Sequence, residues 1–295
     1  MSDYDLAVIG EGIAGLACAA RAVELGLSVT TFEANMMGGL VLNISELHGY
    51  EAGRPGIELA SEYAEANMAA GAASRATAVS AIGGSDGGFE LSTETGIVRA
   101  RKVVVATGAR LRTLGVPGEA EFEHRGVSQC VDCDGPMLTR KPAVVVGGGD
   151  SAYMQAAVLA QYASDVTLLM RADMPRAREE FVQAVAANDR ITVLPRSLVV
   201  EIVGNDSGVT GVKVATDGGE RVIPCEGVFA YVGLQPNTDL VGGEGAVATD
   251  ENRQTDRFGL YAIGALRAGY SGDLADAVAD GQRAADHAAA LLGSG

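Results

Sequence analysis

The residues best equipped for chemistry are Cys130 and Cys133, in the run Cys130-Val131-Asp132-Cys133-Asp134-Gly135. Two thiols at this spacing can close reversibly into a disulfide, or can supply half of a metal site. A closed zinc site needs two more ligands in paired spacing. Of the three histidines, His48, His124 and His287, only His124 is near in sequence. The reversible disulfide is therefore the preferred reading, and no metal is expected. Asp134 follows the pair directly, and a carboxylate beside two thiols can carry the proton that thiol–disulfide exchange moves. Cys18 and Cys225 stand alone in apolar surroundings and read as packing.

Two glycine loops flank this pair at a distance. Gly10-Glu11-Gly12-Ile13-Ala14-Gly15 follows the apolar run Tyr4–Ile9 and opens a helical stretch reaching about Leu25. Glu33 lies 23 residues after Gly10, at the end of a predicted strand Ser28–Phe32. This is the dinucleotide fingerprint: backbone amides and a helix N-terminus face a pyrophosphate, and the acid accepts from a ribose hydroxyl. Glu11 must turn its carboxylate away from those phosphates or weaken them. The second loop, Gly147-Gly148-Gly149-Asp150-Ser151-Ala152, follows the apolar strand Pro142–Val146 and precedes an alanine-rich helix to about Tyr162. No acid ends its next strand, Val166–Met170; Arg171 does, with Arg176 and Arg178 nearby. Arginine in place of the ribose acid favours a 2′-phosphate, hence NADPH over NADH.

These motifs need a frame that repeats strand, glycine turn and helix at residues 10 and 147, a spacing of 137. Between them, Thr77–Ile82, Gly88–Ser92 and Gly96–Ala100 read as a β-meander, followed by the run Val103–Val105 and then Ala106-Thr107-Gly108-Ala109. A helix over Ile57–Ala70 follows the start signal Pro55-Gly56. Beyond the second loop, the pattern predicts a helix near Arg176–Ala187, a strand Ile191–Leu194 and hairpin strands Leu198–Val203 and Gly211–Ala215. The final strand Leu260–Ile263, which meets Gly264, and a helix from about Asp273 to Leu292 have no partner of their own, so they rejoin the first domain. The expected fold is α/β, with two Rossmann-like three-layer nucleotide-binding domains, the second inserted into the first. Residues 1–114 and 236–295 form one domain and residues 115–235, carrying the cysteine pair, the other. The connections, about Leu111–Pro117 and Gly233–Asn237, suit a hinge.

Composition supports this frame. Glycine supplies 40 of 295 residues, about twice the usual share, without collagen's period. The formal charge of −16 makes electrostatic nucleic-acid binding an unpromising role. No run approaches the length of a membrane span and no charged n-region with an apolar h-region opens the chain, so a soluble cytoplasmic protein is expected.

The order of these features resembles the low-molecular-weight thioredoxin reductases over nearly the whole chain. The likeness is carried by Gly10–Gly15, Gly38-Gly39-Leu40, Ala106–Ala109, Val116-Pro117-Gly118, Cys130–Gly135, Gly147–Ala152, Gly233, Pro236-Asn237-Thr238 and Ala262-Ile263-Gly264. It implies FAD in the first domain, held by Gly10, Gly12, Gly15, Glu33, Gly38, Gly39, Asn43, Thr107, Gly108, Gly264, Asp273 and Leu274. It implies NADPH in the second, held by Gly147, Gly149, Asp150, Ser151, Ala152, Arg171 and Arg176. By matching position Cys133 faces the flavin, Cys130 exchanges with a partner disulfide, and Asp134 is the acid–base group. The family is homodimeric and turns its inserted domain about the two connections. The implied partner is a thioredoxin-like protein or a small-molecule disulfide or dithiol.

Some family positions differ. The aspartate after the last strand is Ala265, the Arg-Gln before the last helix is Gly272-Asp273, and the glutamine after Gly38-Gly39 is Leu40. The two glutamates after the second glycine loop are Met154 and Gln155, and the arginine clamp reads Met170-Arg171-Ala172-Asp173-Met174-Pro175-Arg176. Two alternatives follow: a small-molecule dithiol oxidase using dioxygen, with His48 as a base, or a reductase taking electrons from ferredoxin.

Overall fold

The computed structural model describes all residues except Met1, Ser2, Ser45, His48, Ala52, Asp86, Glu244, Ser294 and Gly295. In chain order the elements are β1 (Tyr4–Ile9), α1 (Ile13–Glu24), β2 (Val29–Phe32), α2 (Gly56–Ala69), β3 (Ala73–Arg75), β4 (Val79–Ser85), β5 (Gly88–Thr93), β6 (Gly96–Val105) and β7 (Ala109–Leu111). Then come β8 (Val127–Ser128), α3 (Val131–Asp134), β9 (Pro142–Val146), α4 (Asp150–Leu159), β10 (Asp165–Leu169), α5 (Glu179–Ala186) and β11 (Ile191–Leu194). The chain continues through β12 (Leu198–Asn205), β13 (Gly208–Thr216), β14 (Gly219–Pro224), β15 (Gly227–Ala230), β16 (Leu234–Pro236), β17 (Leu260–Ala262) and α6 (Leu274–Gly293). Two compact units result: Met1–Arg110 with Gln235–Gly295, and Leu111–Leu234.

In the first unit the sheet runs β3-β2-β1-β6-β5-β4, with β17 also paired to β6. The sequence pattern treats Gly96–Ala100 and Val103–Val105 as separate pieces, but they form one strand. Its first half pairs antiparallel with β5 and its last three residues pair parallel with β17. The hydrophobic alternation of a meander and the continuous run of a buried parallel strand meet inside one element, which hides its continuity. On one sheet face Leu6, Val8 and Val104 pack with α1, α2 and α6. On the other, Ala7, Ile9, Val103 and Val105 pack with Phe89, Leu91 and Val98 of the meander. Helix α6 buries Ala277, Gly281, Ala284, Ala285 and Ala288, one face at helical spacing. It approaches α1 so closely that a Cβ on Gly281 would stand 2.4 Å from the Ala14 carbonyl oxygen.

In the second unit a parallel sheet runs β11-β10-β9-β15-β8. Ala143 and Val145 of β9 face α4 and α5, while Val144 and Val146 face Val199, Ile202, Val212 and Val214 of an antiparallel sheet, β12-β13-β14. Those three layers follow from the alternation of a strand buried on both faces. The third strand, β14, escapes the sequence reading because its residues are mostly exposed and show no apolar alternation. Helix α5 starts at Glu179, three residues later than the pattern suggests. The amide of Arg176 is taken by the Gly148 carbonyl at 2.7 Å, which holds that segment against the glycine loop.

Candidate functional site

Cys130 and Cys133 are bonded to each other as a disulfide, with Cα atoms 5.3 Å apart. The pair is displayed by the short helix α3, an element the sequence pattern is too brief to reveal. Buried Val131 anchors it in the core beneath α4. Cys130 lies just before the helix, where its sulfur accepts from the Cys133 amide at 3.2 Å, and its own amide donates to Ser128 Oγ at 3.0 Å. Cys133 is exposed and Cys130 half-buried. The Asp134 amide donates to the Cys130 carbonyl at 3.1 Å, and Asp134 itself is half-buried. Among the described residues no group of three or more His, Cys, Asp or Glu side chains is arranged to hold a metal ion.

The other two cysteines are of a different kind. Both are buried and free, and burial pushes each thiol up to about 12, which keeps it protonated and unreactive near neutral pH.

In the first unit, one end of the parallel sheet gathers Gly10, Gly12, Gly15, Glu33, Gly38, Gly39, Gly108 and Gly264. A Cβ on Gly10 would meet the Ala106 oxygen at 2.4 Å, and one on Gly15 would meet the Gly10 oxygen at 2.0 Å, so both are required by packing. Gly12 is different. Its φ of −71° suits any residue, and a Cβ there would meet nothing within 4 Å. Neither backbone nor packing explains glycine at that position; a ligand approaching the loop would. Gly38 pairs across to Gly12, and its amide donates to the Glu11 carbonyl at 2.7 Å, bringing the two glycine segments together. Glu33 accepts from the amides of Glu11 at 3.0 Å and Asn35 at 2.9 Å. Asn43 ends a 3-10 turn, Gly39–Asn43, with its side chain exposed.

Glu11 resolves the concern its position raises. Its carboxylate turns into the protein, where Oε1 accepts from Thr31 Oγ1 at 2.5 Å and Ser74 Oγ at 2.6 Å, while its amide donates to Glu33. Thr107 is locked in register with Asn237: the Thr107 hydroxyl donates to the Asn237 carbonyl at 2.8 Å and Asn237 Nδ2 returns to the Thr107 carbonyl at 2.9 Å.

The largest group invisible to the sequence reading surrounds Asp280. This carboxylate is fully buried on α6 and accepts from Arg253 Nε, Arg267 Nε and the Gly264 amide. Arg267 also donates to Asp276 at 2.8 Å. The network fixes the turn after β17, where Ala265 stands, against α6. The residues all lie between Arg253 and Asp280, but no short motif announces them. Asp273 and Leu274 lie at the start of α6, where the Asp273 carbonyl accepts from the Tyr270 hydroxyl.

The second glycine loop repeats the logic. A Cβ on Gly147 would meet the Tyr231 oxygen at 2.3 Å, whereas Gly149, with an ordinary φ of −105°, faces open space. Ala152 is fully buried beneath the loop and Ser151 is exposed. Asp150 opens α4 and accepts from both the amide and Nε of Arg178 at 2.7 Å. Of the three arginines expected near a 2′-phosphate, Arg178 is thus engaged by the protein itself. Arg171 and Arg176 are exposed.

Two glycine-loop α/β units in one chain, one of them bearing a disulfide, define a nucleotide-linked disulfide oxidoreductase. A family model described as pyridine nucleotide-disulphide oxidoreductase matches residues 4–288. The thioredoxin reductase of Treponema pallidum is 36% identical, over 99% of this chain and 98% of that protein. Solved thioredoxin reductases from Lactococcus lactis (30% identical, 99% of this chain and 100% of that one, TM-score 0.95) and T. acidophilum (31%, 99% of each, TM-score 0.92) share the fold. The chain belongs to the pyridine nucleotide-disulphide oxidoreductase family and is a flavin disulfide oxidoreductase of thioredoxin-reductase type.

Proposed function

We propose that the enzyme passes electrons from NADPH through FAD and the Cys130–Cys133 disulfide to the disulfide of a thioredoxin-like protein. The observation that supports this most is the bonded cysteine pair in one chain with two glycine loops whose middle glycines, Gly12 and Gly149, face open space.

The first unit fits FAD. Gly12, Gly39 and Gly108 leave room for a nucleotide against the backbone, while Glu33 has carboxylate lone pairs left for ribose hydroxyls beyond the two amides it accepts. Gly10, Gly15, Gly38 and Gly264 shape that wall, Asn43 and Thr107 border it, and Asp273 and Leu274 bring the positive end of α6 to it. In the second unit Gly147, Gly149, Asp150, Ser151 and Ala152 form the pyrophosphate turn, and Arg171 and Arg176 are the cations for a 2′-phosphate. When bound, the two groups supply hydride and electron transfer that the protein's side chains cannot.

The chain's own chemistry is at the thiols. In the reduced pair the Cys133 amide, already aimed at Cys130 Sγ, favours the thiolate on Cys130 and marks it as the attacking sulfur. Attack on the partner forms a Cys130–partner bond and releases one partner thiolate. Cys133 then attacks Cys130, re-forming the internal disulfide and freeing the second thiolate. Asp134 serves the protons these thiolates take up. The enzyme acts as a homodimer in the cytoplasm, its second domain turning about the connections near Leu111–Pro117 and Gly233–Asn237. The base considered for an oxidase, His48, lies outside the described residues, and no observation favours that reading.

The test is NADPH-dependent reduction of an oxidised thioredoxin by the purified holoenzyme. Activity should be abolished in both Cys130→Ser and Cys133→Ser; activity that survives either substitution would overturn the route.

A further inference from the structure

Asp132 stands between the two cysteines, and the environment of its carboxylate is unusual. Oδ2 is buried, and among the described residues no hydrogen-bond donor reaches it. A buried carboxylate oxygen without a donor is rare, because losing water without replacement carries a penalty. The nearby Tyr231 hydroxyl does not relieve it: its hydrogen bond goes to the Gln129 carbonyl at 3.2 Å, with Gln155 Oε1 at 3.5 Å. Burial first, and then the Asp132 charge, push the Tyr231 phenol upward. Val131, completely buried, pins the backbone on which Asp132 rides. The other titratable groups on elements packed here are Asp134 of α3, Asp150 and Tyr153 of α4, and Tyr162, whose ring lies against Gly135. Tyr153 gives its hydroxyl to Met170 Sδ and Asp150 is paired with Arg178. None of these groups is a cation.

We propose that Asp132 is a built-in negative charge within the redox-pair helix that disfavours the thiolate of reduced Cys130 and so makes the dithiol a stronger reductant. Reduction of the disulfide takes two electrons. It takes two protons when both sulfurs end as thiols, and one when Cys130 ends as a thiolate. A carboxylate carried on the same short helix, between the two cysteines, penalises the second outcome and leaves the disulfide form untouched. The reduced form is raised in free energy wherever it would ionise, and its tendency to give electrons away rises with it. This opposes the Cys133 amide, which favours the thiolate, and the balance of the two sets how much attacking sulfur exists near neutral pH. Asp132 acts through the thiols rather than by touching substrate. The proposal deepens the outward-reducing reading above and rests on the same dithiol, but its test needs neither flavin turnover nor NADPH.

The full-length protein is reduced with dithiothreitol, desalted anaerobically and alkylated with iodoacetamide across a pH series, with mass spectrometry reporting the modified cysteine. In Asp132→Asn, and in Asp132→Ser as a second variant, the midpoint of the Cys130 profile should fall by about half a pH unit or more, giving roughly threefold more thiolate at pH 7. The dithiol–disulfide equilibrium against glutathione, read at about pH 9, should move roughly threefold toward the dithiol. Asp132→Glu should restore both values toward wild type. Midpoints that stay in place or rise in the charge-removing variants would overturn the proposal, as would a shift produced by Asp134→Asn but not by Asp132→Asn. Failure of the NADPH reaction with these results intact would count against the proposed donor and leave Asp132's role standing.

Discussion

The backbone amide of Glu11 donates to the carboxylate of Glu33 across 3.0 Å, while the Glu11 carboxylate points the other way, to Thr31 and Ser74. One hydrogen bond thereby ties the first glycine loop to the end of β2. Replacing Glu33 with Ala leaves the Glu11 and Asn35 amides without this acceptor and removes the proposed ribose contact. A hydrogen bond to a charged group is worth about 1.5–3 kcal/mol, so FAD affinity should fall roughly tenfold or more. The ratio of flavin to protein absorbance after gel filtration measures it, and an unchanged ratio would remove Glu33 from the site.

Gly12 and Gly281 separate ligand room from packing room. Gly12→Val adds atoms where the protein has none, so the melting profile of the flavin-free protein should hold while flavin retention is lost. Gly281→Val drives a side chain into the Ala14 carbonyl and Cys18 amide on α1, and should lower stability by about 1–3 kcal/mol or more. Thermal melts with and without added FAD distinguish the two outcomes.

The four cysteines should count in pairs. With the disulfide reduced, the native protein should expose two reactive thiols, Cys130 and Cys133, at pH 8. Denaturation should release Cys18 and Cys225 as well, because burial holds both protonated in the native state. Rapid labelling of more than two thiols in the native protein would contradict this assignment.

Asp280 should be among the costliest positions to change in the first unit. Asp280→Ala leaves Arg253 and Arg267 without their shared carboxylate, and breaking a buried pair costs about 3–5 kcal/mol, or a melting point lower by on the order of 10 °C. Its neighbour Asp276 adds a pH signature. Burial works against ionisation, but the Ser271 hydrogen bonds and the Arg267 charge outweigh it and hold this carboxyl below its usual value. Its contribution is therefore present above the unfolded value of about 3.9 and is lost as pH falls through the lower folded value. Asp276→Asn should melt earlier than wild type at pH 7, and the gap should close below about pH 4.

Much of this architecture is legible in the sequence because the motifs are local. A strand, a glycine turn and a helix occupy one short stretch, as do the two cysteines, so Gly10–Gly15, Gly147–Ala152 and Cys130–Cys133 announce themselves. What the sequence conceals is assembled from residues that no recognisable spacing links. Asp280 meets Arg253 and Arg267 only through the fold, and Arg178 is drawn to Asp150, 28 residues away, rather than left free beside Arg171. Strand β6 is hidden for another reason: it changes partners midway, so its two halves carry different hydrophobic periods. The orphaned oxygen of Asp132 is equally unreadable, since no pattern of residue types says which way a side chain turns.

The most direct measurement is an anaerobic titration of the oxidised flavoprotein with NADPH, following flavin absorbance and free thiols together. Loss of the oxidised-flavin band with the appearance of two thiols per chain, assigned to Cys130 and Cys133, is the predicted result. A flavin band that NADPH leaves unchanged, or flavin reduction that never opens the disulfide, would contradict the proposed electron route.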